Sequence, residues 1–287
     1  MKHIVRFFLL SSILVSLVFS ASAEIYINQQ PPADWADKPL LRLTTFPAVT
    51  NDAALLEVDG LSMLIDGGVA KWTENVRASL TELGYGDGVD VIFNTHPHED
   101  HIACETALVE QGFQAGAFWS SFPQDEDDDC QRAMVAALEA AGIPYYQLQN
   151  GEEMDWGGAR LVFWYYPDGR DYNALSCMMH ITYGDATMLL TADASTGAQD
   201  YFHKALGSAM QAQVMKFPHH GYTIARPAFL DDVQPEFAYV TSRQKLTKNA
   251  NSQLRARKIK FKHTSIGPLT LVTDGTDWYI WQENAPY

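Results

Sequence analysis

Between residues 95 and 101 the chain reads Thr-His-Pro-His-Glu-Asp-His. His96, His98, Asp100 and His101 are four metal-capable side chains packed into one short stretch. Imidazole and carboxylate together suit zinc, iron or manganese. On a regular strand or helix these four could not all point one way, whereas a tight loop can splay them toward two adjacent points. They directly follow an apolar strand, Val91-Ile-Phe93. An ordinary polar loop would not gather three of the chain's nine histidines beside a carboxylate. The stretch therefore predicts a metal site.

Elements must exist to carry that loop, and the apolar spacing predicts them. Strands are expected over 41–45, 52–58 and 61–65, the last two closing around Asp59-Gly60, a favoured two-residue turn. Helical spacing runs from Lys71 to Leu83, His101 to Gln111 and Gln131 to Ala141, closed by Gly84, Gly112 and Gly142. Further strands are expected over 89–93 and 113–122. The second half repeats this grammar, with strands over 159–165, 176–183, 187–191, 213–217, 237–241, 269–273 and 278–281 and a helix over 198–206. Residues 24–39 read as an irregular lead-in. The acidic run Asp125 to Asp129 reads as a solvated loop. Strands followed by helices in both halves predict a single α/β domain over 24–287, a four-layer αββα sandwich.

The first 23 residues differ in kind. Lys2 and Arg6 precede an apolar run over 7–19 and then Ala21-Ser-Ala23, the pattern of a signal peptide cleaved after Ala23. A membrane anchor is the alternative, but the run is well short of the ~20 residues that span a bilayer. The expectation is a periplasmic or secreted protein with no membrane association after cleavage. The net charge of −15 becomes more negative still once Lys2 and Arg6 are removed. Such a body repels long polyanions, so no stable nucleic-acid complex is expected, although a metal-bound phosphate remains compatible. Three cysteines, Cys104, Cys130 and Cys177, are too few for a disulfide framework. Cys104, just past the histidine loop, has no partner thiol and is expected to be packed rather than ligating.

The motif resembles the HxHxDH signature of the metallo-β-lactamase-fold superfamily. Other segments match in order. Asp66 in Ile65-Asp-Gly-Gly resembles the aspartate that supports the ligand loop from behind. Asp193 in Thr191-Ala-Asp193 resembles the aspartate that bridges two metals, with Ala192 where glycine is usual. Phe217-Pro-His219-His220-Gly221 resembles the last ligand motif. His219, first off the strand, is the preferred ligand of that pair, with His220 the alternative. Asn51-Asp-Ala-Ala-Leu-Leu56, Asn173 and Ser176, Met215-Lys-Phe-Pro-His-His-Gly221 and the ending His263-Thr264…Thr273-Asp-Gly275 resemble the hydrolase domain of ComEC competence proteins. Phosphorylcholine esterases share the general arrangement.

Two departures stand out. A histidine usual before the second-half strand is replaced by Tyr172-Asn173-Ala174, leaving Asn173 as the nearest candidate; His180 reads as a core histidine. Residues 242–251 carry no histidine either. The resemblance implies two divalent ions, zinc first and manganese as alternative, whose bridging water becomes hydroxide near neutral pH. Asp100 would ligate and orient that nucleophile, with Asp66 supporting it. Tyr222, Thr223, Arg226, Arg243 and Lys245 are candidate substrate contacts. The expected activity is an exported phosphodiesterase-like hydrolase. A lactonase or β-lactamase, or a secreted metal-binding protein with little turnover, are the alternatives.

Overall fold

A computed structural model describes residues 23–47 and 52–283. Residues 1–22 of the expected signal peptide, and Asn51, lie outside them. Among the described residues no helix is long and apolar enough to cross a membrane.

Among the described residues sixteen strands form two sheets: β1 (Ile25–Ile27), β2 (Leu41–Thr45), β3 (Ala54–Val58), β4 (Leu61–Ile65), β5 (Gly88–Asn94), β6 (Gln114–Ser120), β7 (Tyr145–Gln147), β8 (Glu152–Trp156), β9 (Ala159–Trp164), β10 (Met178–Tyr183), β11 (Ala186–Leu190), β12 (Val214–Lys216), β13 (Phe237–Val240), β14 (Lys260–His263), β15 (Leu269–Thr273) and β16 (Trp278–Gln282). The first sheet runs β1-β16-β15-β2-β3-β4-β5-β6-β7 and the second β14-β13-β12-β11-β10-β9-β8. Helices α1 (Thr73–Glu82), α2 (Glu99–Glu110) and α3 (Asp129–Ala141) are crossovers of the first sheet. A single turn, α4 (Tyr172–Leu175), precedes β10. Helices α5 (Thr196–Ala205), α6 (Pro227–Val233) and α7 (Lys248–Ala256) are crossovers of the second sheet.

Strand alternation sorts the core into layers. Met63, Ile65, Val91 and Phe93 point inward against Phe163, Met179, Met188 and Leu190 of the other sheet. Their neighbours Leu64 and Ile92 point outward into the layer with Val76 of α1, Leu108 of α2 and Met134 of α3. Leu189 and Met215 do the same toward Phe202, Phe229 and Leu254. Both faces of these strands are covered, so their sequences are apolar runs rather than alternating ones. The αββα expectation holds.

In the hairpin between β3 and β4, Asp59 and Gly60 both take positive φ, 46° and 84°, as a tight primed turn requires. The lead-in is less irregular than expected: β1 pairs in parallel with β16, Ile25 opposite Trp278. Three residues at a sheet edge are too few to show a period. Strands β7, β8 and β14 are likewise short edge or near-edge strands, while α6 spans seven residues and α7 buries only Ala250, Asn251 and Leu254.

Chain direction creates the site. Strands β4, β5 and β6 run parallel, as do β11, β12, β13 and β14. Loops leaving the carboxyl ends of β4, β5, β11, β12 and β13 therefore open at one edge of the sandwich, where side chains from both sheets meet.

Candidate metal centre

Each of these strand ends carries one part. Asp66 follows β4, His96 and His98 follow β5, and Asp100 and His101 lie in the first turn of α2. Asp193 follows β11, His219 and His220 follow β12, and Thr241 follows β13. Asp66, Ala192, His219 and His220 all have positive φ, between 45° and 52°. Such backbone costs of order 1 kcal/mol or more per residue and concentrates at functional turns.

The hydrogen-bond network sets the ring tautomers. Asp66 Oδ1 accepts from the Thr95 backbone N–H at 2.8 Å, and Oδ2 accepts from Thr95 Oγ1 at 2.9 Å and His101 Nδ1 at 2.7 Å. With the Thr95 proton spent on Asp66, its Oγ1 is left to accept from His96 Nδ1 at 3.0 Å. His220 Nδ1 donates to Thr241 Oγ1 at 2.9 Å, with Asp52 Oδ1 at 3.2 Å. The Nε2 atoms of His96, His101 and His220 are thereby aimed away from their supports, as metal-binding imidazoles require.

Those atoms converge. His101 Nε2 lies 3.4 Å and His220 Nε2 3.1 Å from Asp193 Oδ2, and His220 Nε2 is 3.4 Å from Asp100 Oδ2. Both Nε2 atoms are buried without a satisfied hydrogen bond. His96 Nε2 faces His98 Nδ1 at 3.0 Å. His96, His101 and Asp193, and separately Asp100, His101 and His220, present donor atoms close enough to share an ion. Orphaned buried nitrogens facing carboxylates fit a divalent cation.

Electrostatics agree with a site built for positive charge. Burial opposes ionisation of Asp193, but His220, Lys216 and His101 outweigh it and hold the carboxyl well below its usual range. Burial likewise opposes charge on His101, yet Asp193 and Asp66 push it up to about 10. Asp193 and Asp52 raise His220 well above its ordinary value in the same way. Burial, then His101, keeps His96 neutral. A metal ion must displace protons from His101 and His220, so affinity should climb with pH.

The structure changes several expectations. His220, not His219, turns into the site: its side chain is 1% exposed, against 30% for His219, whose Nε2 is 3.8 Å from Asp193 Oδ2. Two consecutive left-handed residues reverse the chain, so order along the strand does not predict the inward ring. Arg226 pairs with Asp200 at 3.1 Å on the surface, with both side chains about half exposed. Tyr222 stays at the rim, 5.7 Å ring to ring from His220, and Arg243 and Lys245 are exposed on the loop after β13. On α4 it is Tyr172 that meets the His98 ring, at 5.7 Å; Asn173 Oδ1 is buried without a partner. Burial, Glu126 and Asp128 push the Tyr172 phenol up to about 12, so it stays neutral. His180 points to the outer face of β10 and bonds the Gln211 carbonyl at 3.0 Å, as a core histidine. All three cysteines are free, and Cys104 packs in the α1–α2 layer.

Asp52 and Lys216 were not anticipated. Lys216 Nζ bonds Asp52 Oδ2, Asp193 Oδ1 at 3.2 Å and the Ala192 carbonyl at 2.6 Å. The readable signal was a lysine inside the apolar run Val214-Met-Lys-Phe217, since unpaired lysine is almost never fully buried.

Behind Asp66, Asn94 Nδ2 donates to both Asp66 Oδ1 and the buried Glu105 Oε2. A Cβ on Gly67 would come within 2.8 Å of the Glu105 backbone nitrogen, so only glycine lets this turn close on α2. Burial, reinforced by Asp66, raises the Glu105 carboxyl well above its usual range. A raised folded value means its contribution is full below the unfolded carboxyl range and is lost as pH rises, by about 1.4 kcal/mol per pH unit until the folded value is passed. Glu105→Gln cannot ionise. Its melting temperature relative to wild type should therefore climb between pH 5 and pH 8; a gap independent of pH would refute the protonated assignment. Ala192 carries a φ of 45° that glycine adopts freely. Ala192→Gly should be neutral or stabilising by up to about 1 kcal/mol in denaturant unfolding, where a loss above that would show that the turn is not strained.

Comparison with solved structures bears on the whole arrangement. Over 82% of its length the chain superposes on all of YhfI, a metallo-β-lactamase fold protein from Bacillus subtilis, at a TM-score of 0.57 and 14% identity. The chain has the metallo-β-lactamase fold. CmlA, a diiron β-hydroxylase from Streptomyces venezuelae, matches 85% of the chain and 55% of its own length, at a TM-score of 0.54 and 13% identity. No family model matches the chain. Competence protein ComA of Neisseria gonorrhoeae is 29% identical over 102 residues, which is 33% of this chain and 15% of that protein. That match fits the ComEC-like resemblance. Within the metallo-β-lactamase fold, one bearer holds two irons, and the chain's buried His/Asp clusters are of the kind that holds divalent ions.

Proposed function

We propose that the protein is an exported metal-dependent hydrolase that cleaves a small phosphodiester. The observation that carries this is the arrangement around Asp193: His96 and His101 cluster with it, Asp100, His101 and His220 form a second cluster beside it, and His98 Nδ1 faces His96 Nε2. Such a set would hold two divalent ions, zinc or manganese, which supply an activated water and charge for a developing oxyanion. The chain's own residues do the rest. Asp66 and Asp52 fix the rings of His101 and His220 so that no reorientation is needed on binding. Asp100 is partly open to solvent, with 36% of its side chain exposed. It is therefore placed to accept a hydrogen bond from an incoming water. The −15 charge argues for a compact substrate over a long polyanion.

The test uses bis(p-nitrophenyl) phosphate with the manganese- or zinc-loaded protein. Turnover should fall by about a hundredfold or more in Asp100→Ala. No turnover by the loaded wild type, or turnover of nitrocefin instead, would contradict the proposal.

A further inference from the structure

The aromatic contact beside His98 leads away from the metal centre. Tyr172 stacks edge-on against His98 on one side and Phe122, at 5.4 Å, on the other. Its hydroxyl donates to Glu126 Oε1 at 3.2 Å. Phe122 and Glu126 both line an open cavity of about 190 Å³, together with Ser121, Pro123, Tyr165 and Leu175. One aromatic side chain thus separates this cavity from the metal-site histidine.

The lining has a definite chemistry. Its walls are apolar or aromatic, with one carboxylate, the hydroxyls of Ser121 and Tyr165, and no cationic side chain. Glu126 makes no ion pair among the described residues. Of the acidic run beside it, Arg132 pairs with Asp127 and Asp129, while Asp128 is used to cap α3. Ser121 is 8% exposed, and its Oγ is sealed within the wall beside the Cys177 thiol, which leaves Glu126 as the charged group of the lining.

Candidate occupants can be separated on charge and shape. An anion meets only negative charge here. A bare metal ion meets ring faces where it needs several oxygens. A neutral apolar group leaves Glu126 unused. A protonated amine fits: its N–H groups donate to the Glu126 carboxylate, and its charge lies among the aromatic side chains of Phe122 and Tyr165. We infer that this cavity is a subsite for an ammonium group carried by the substrate, seated next to His98. Its link to catalysis rests on the hydrolase reading, while its ligand preference does not.

Ligand-observed NMR titration tests it with n-butylammonium and n-butanol at pH 7. Butylammonium should saturate the wild type. Butanol, and butylammonium on Glu126→Gln, should bind about tenfold more weakly or worse, the loss of one charge-assisted hydrogen bond. Glu126 lies on a surface loop, so the variant keeps its fold. No saturable butylammonium binding, equal binding of butanol, or undiminished binding by Glu126→Gln would overturn the subsite. Binding as expected without phosphodiester turnover would count against the hydrolase reading alone, and turnover without binding against the subsite alone.

Discussion

Replacing His220 with alanine should abolish hydrolysis and the binding of one metal ion, whereas His219→Ala should leave metal content intact. The two residues are adjacent and chemically identical, so only geometry separates them. His220 Nε2 faces both Asp193 and Asp100, with its other nitrogen held by Thr241 and Asp52. Disturbing such support around a ligand costs ten- to a hundredfold in affinity or activity. Losing the ligand itself should cost at least about a hundredfold in kcat/KM. His219 lies nearer the solvent, and its loss should cost about tenfold or less. Equal effects of the two substitutions on metal content, read by elemental analysis after dialysis, would contradict the assignment.

Lys216→Met should destabilise the metal-free protein by about 3–5 kcal/mol, and added divalent metal should restore much of that loss. The ammonium compensates Asp52 and Asp193 inside the sandwich, where its own side chain is 4% exposed. Burial works against that charge, yet the two carboxylates raise the lysine's pKa, so it is a fixed cation. Methionine fills the space but leaves two buried carboxylates facing each other. A metal ion beside Asp193 supplies the missing positive charge, and binding to the native state adds stability by mass action. The thermal shift on adding zinc should thus be larger for the variant than for wild type. A metal-free variant as stable as wild type would show that Lys216 does not hold this network together.

Much of the site was legible because its chemistry is concentrated in short runs. The histidine loop, Asp66 and Asp193 each follow an apolar strand, and that placement survived intact. Layer order was legible too, since helices α1 to α3 carry apolar stripes between glycine stops. What escaped depends on three-dimensional closure. Asp52 reads as one more turn aspartate until β3 and β12 bring it to Lys216 and His220. The inward ring of the His219-His220 pair is decided by two residues at φ 48° and 51°, a turn no residue pattern announces. The pairing of Arg226 with Asp200 across the surface likewise joins two helices that the sequence does not show to be neighbours. Strand β14 is polar along most of its length, and the buried face of α7 is built on Ala250, Asn251 and Leu254, too few apolar side chains to stand out from their polar neighbours.

Metal titration of the chelator-stripped protein tests the central claim most directly. Wild type should take up about two equivalents of zinc, releasing protons as it does so, and Asp193→Ala should bind weakly at either position because one carboxylate serves both. Wild type that binds no zinc, or an Asp193→Ala variant that binds as tightly as wild type, would contradict a metal centre organised around Asp193.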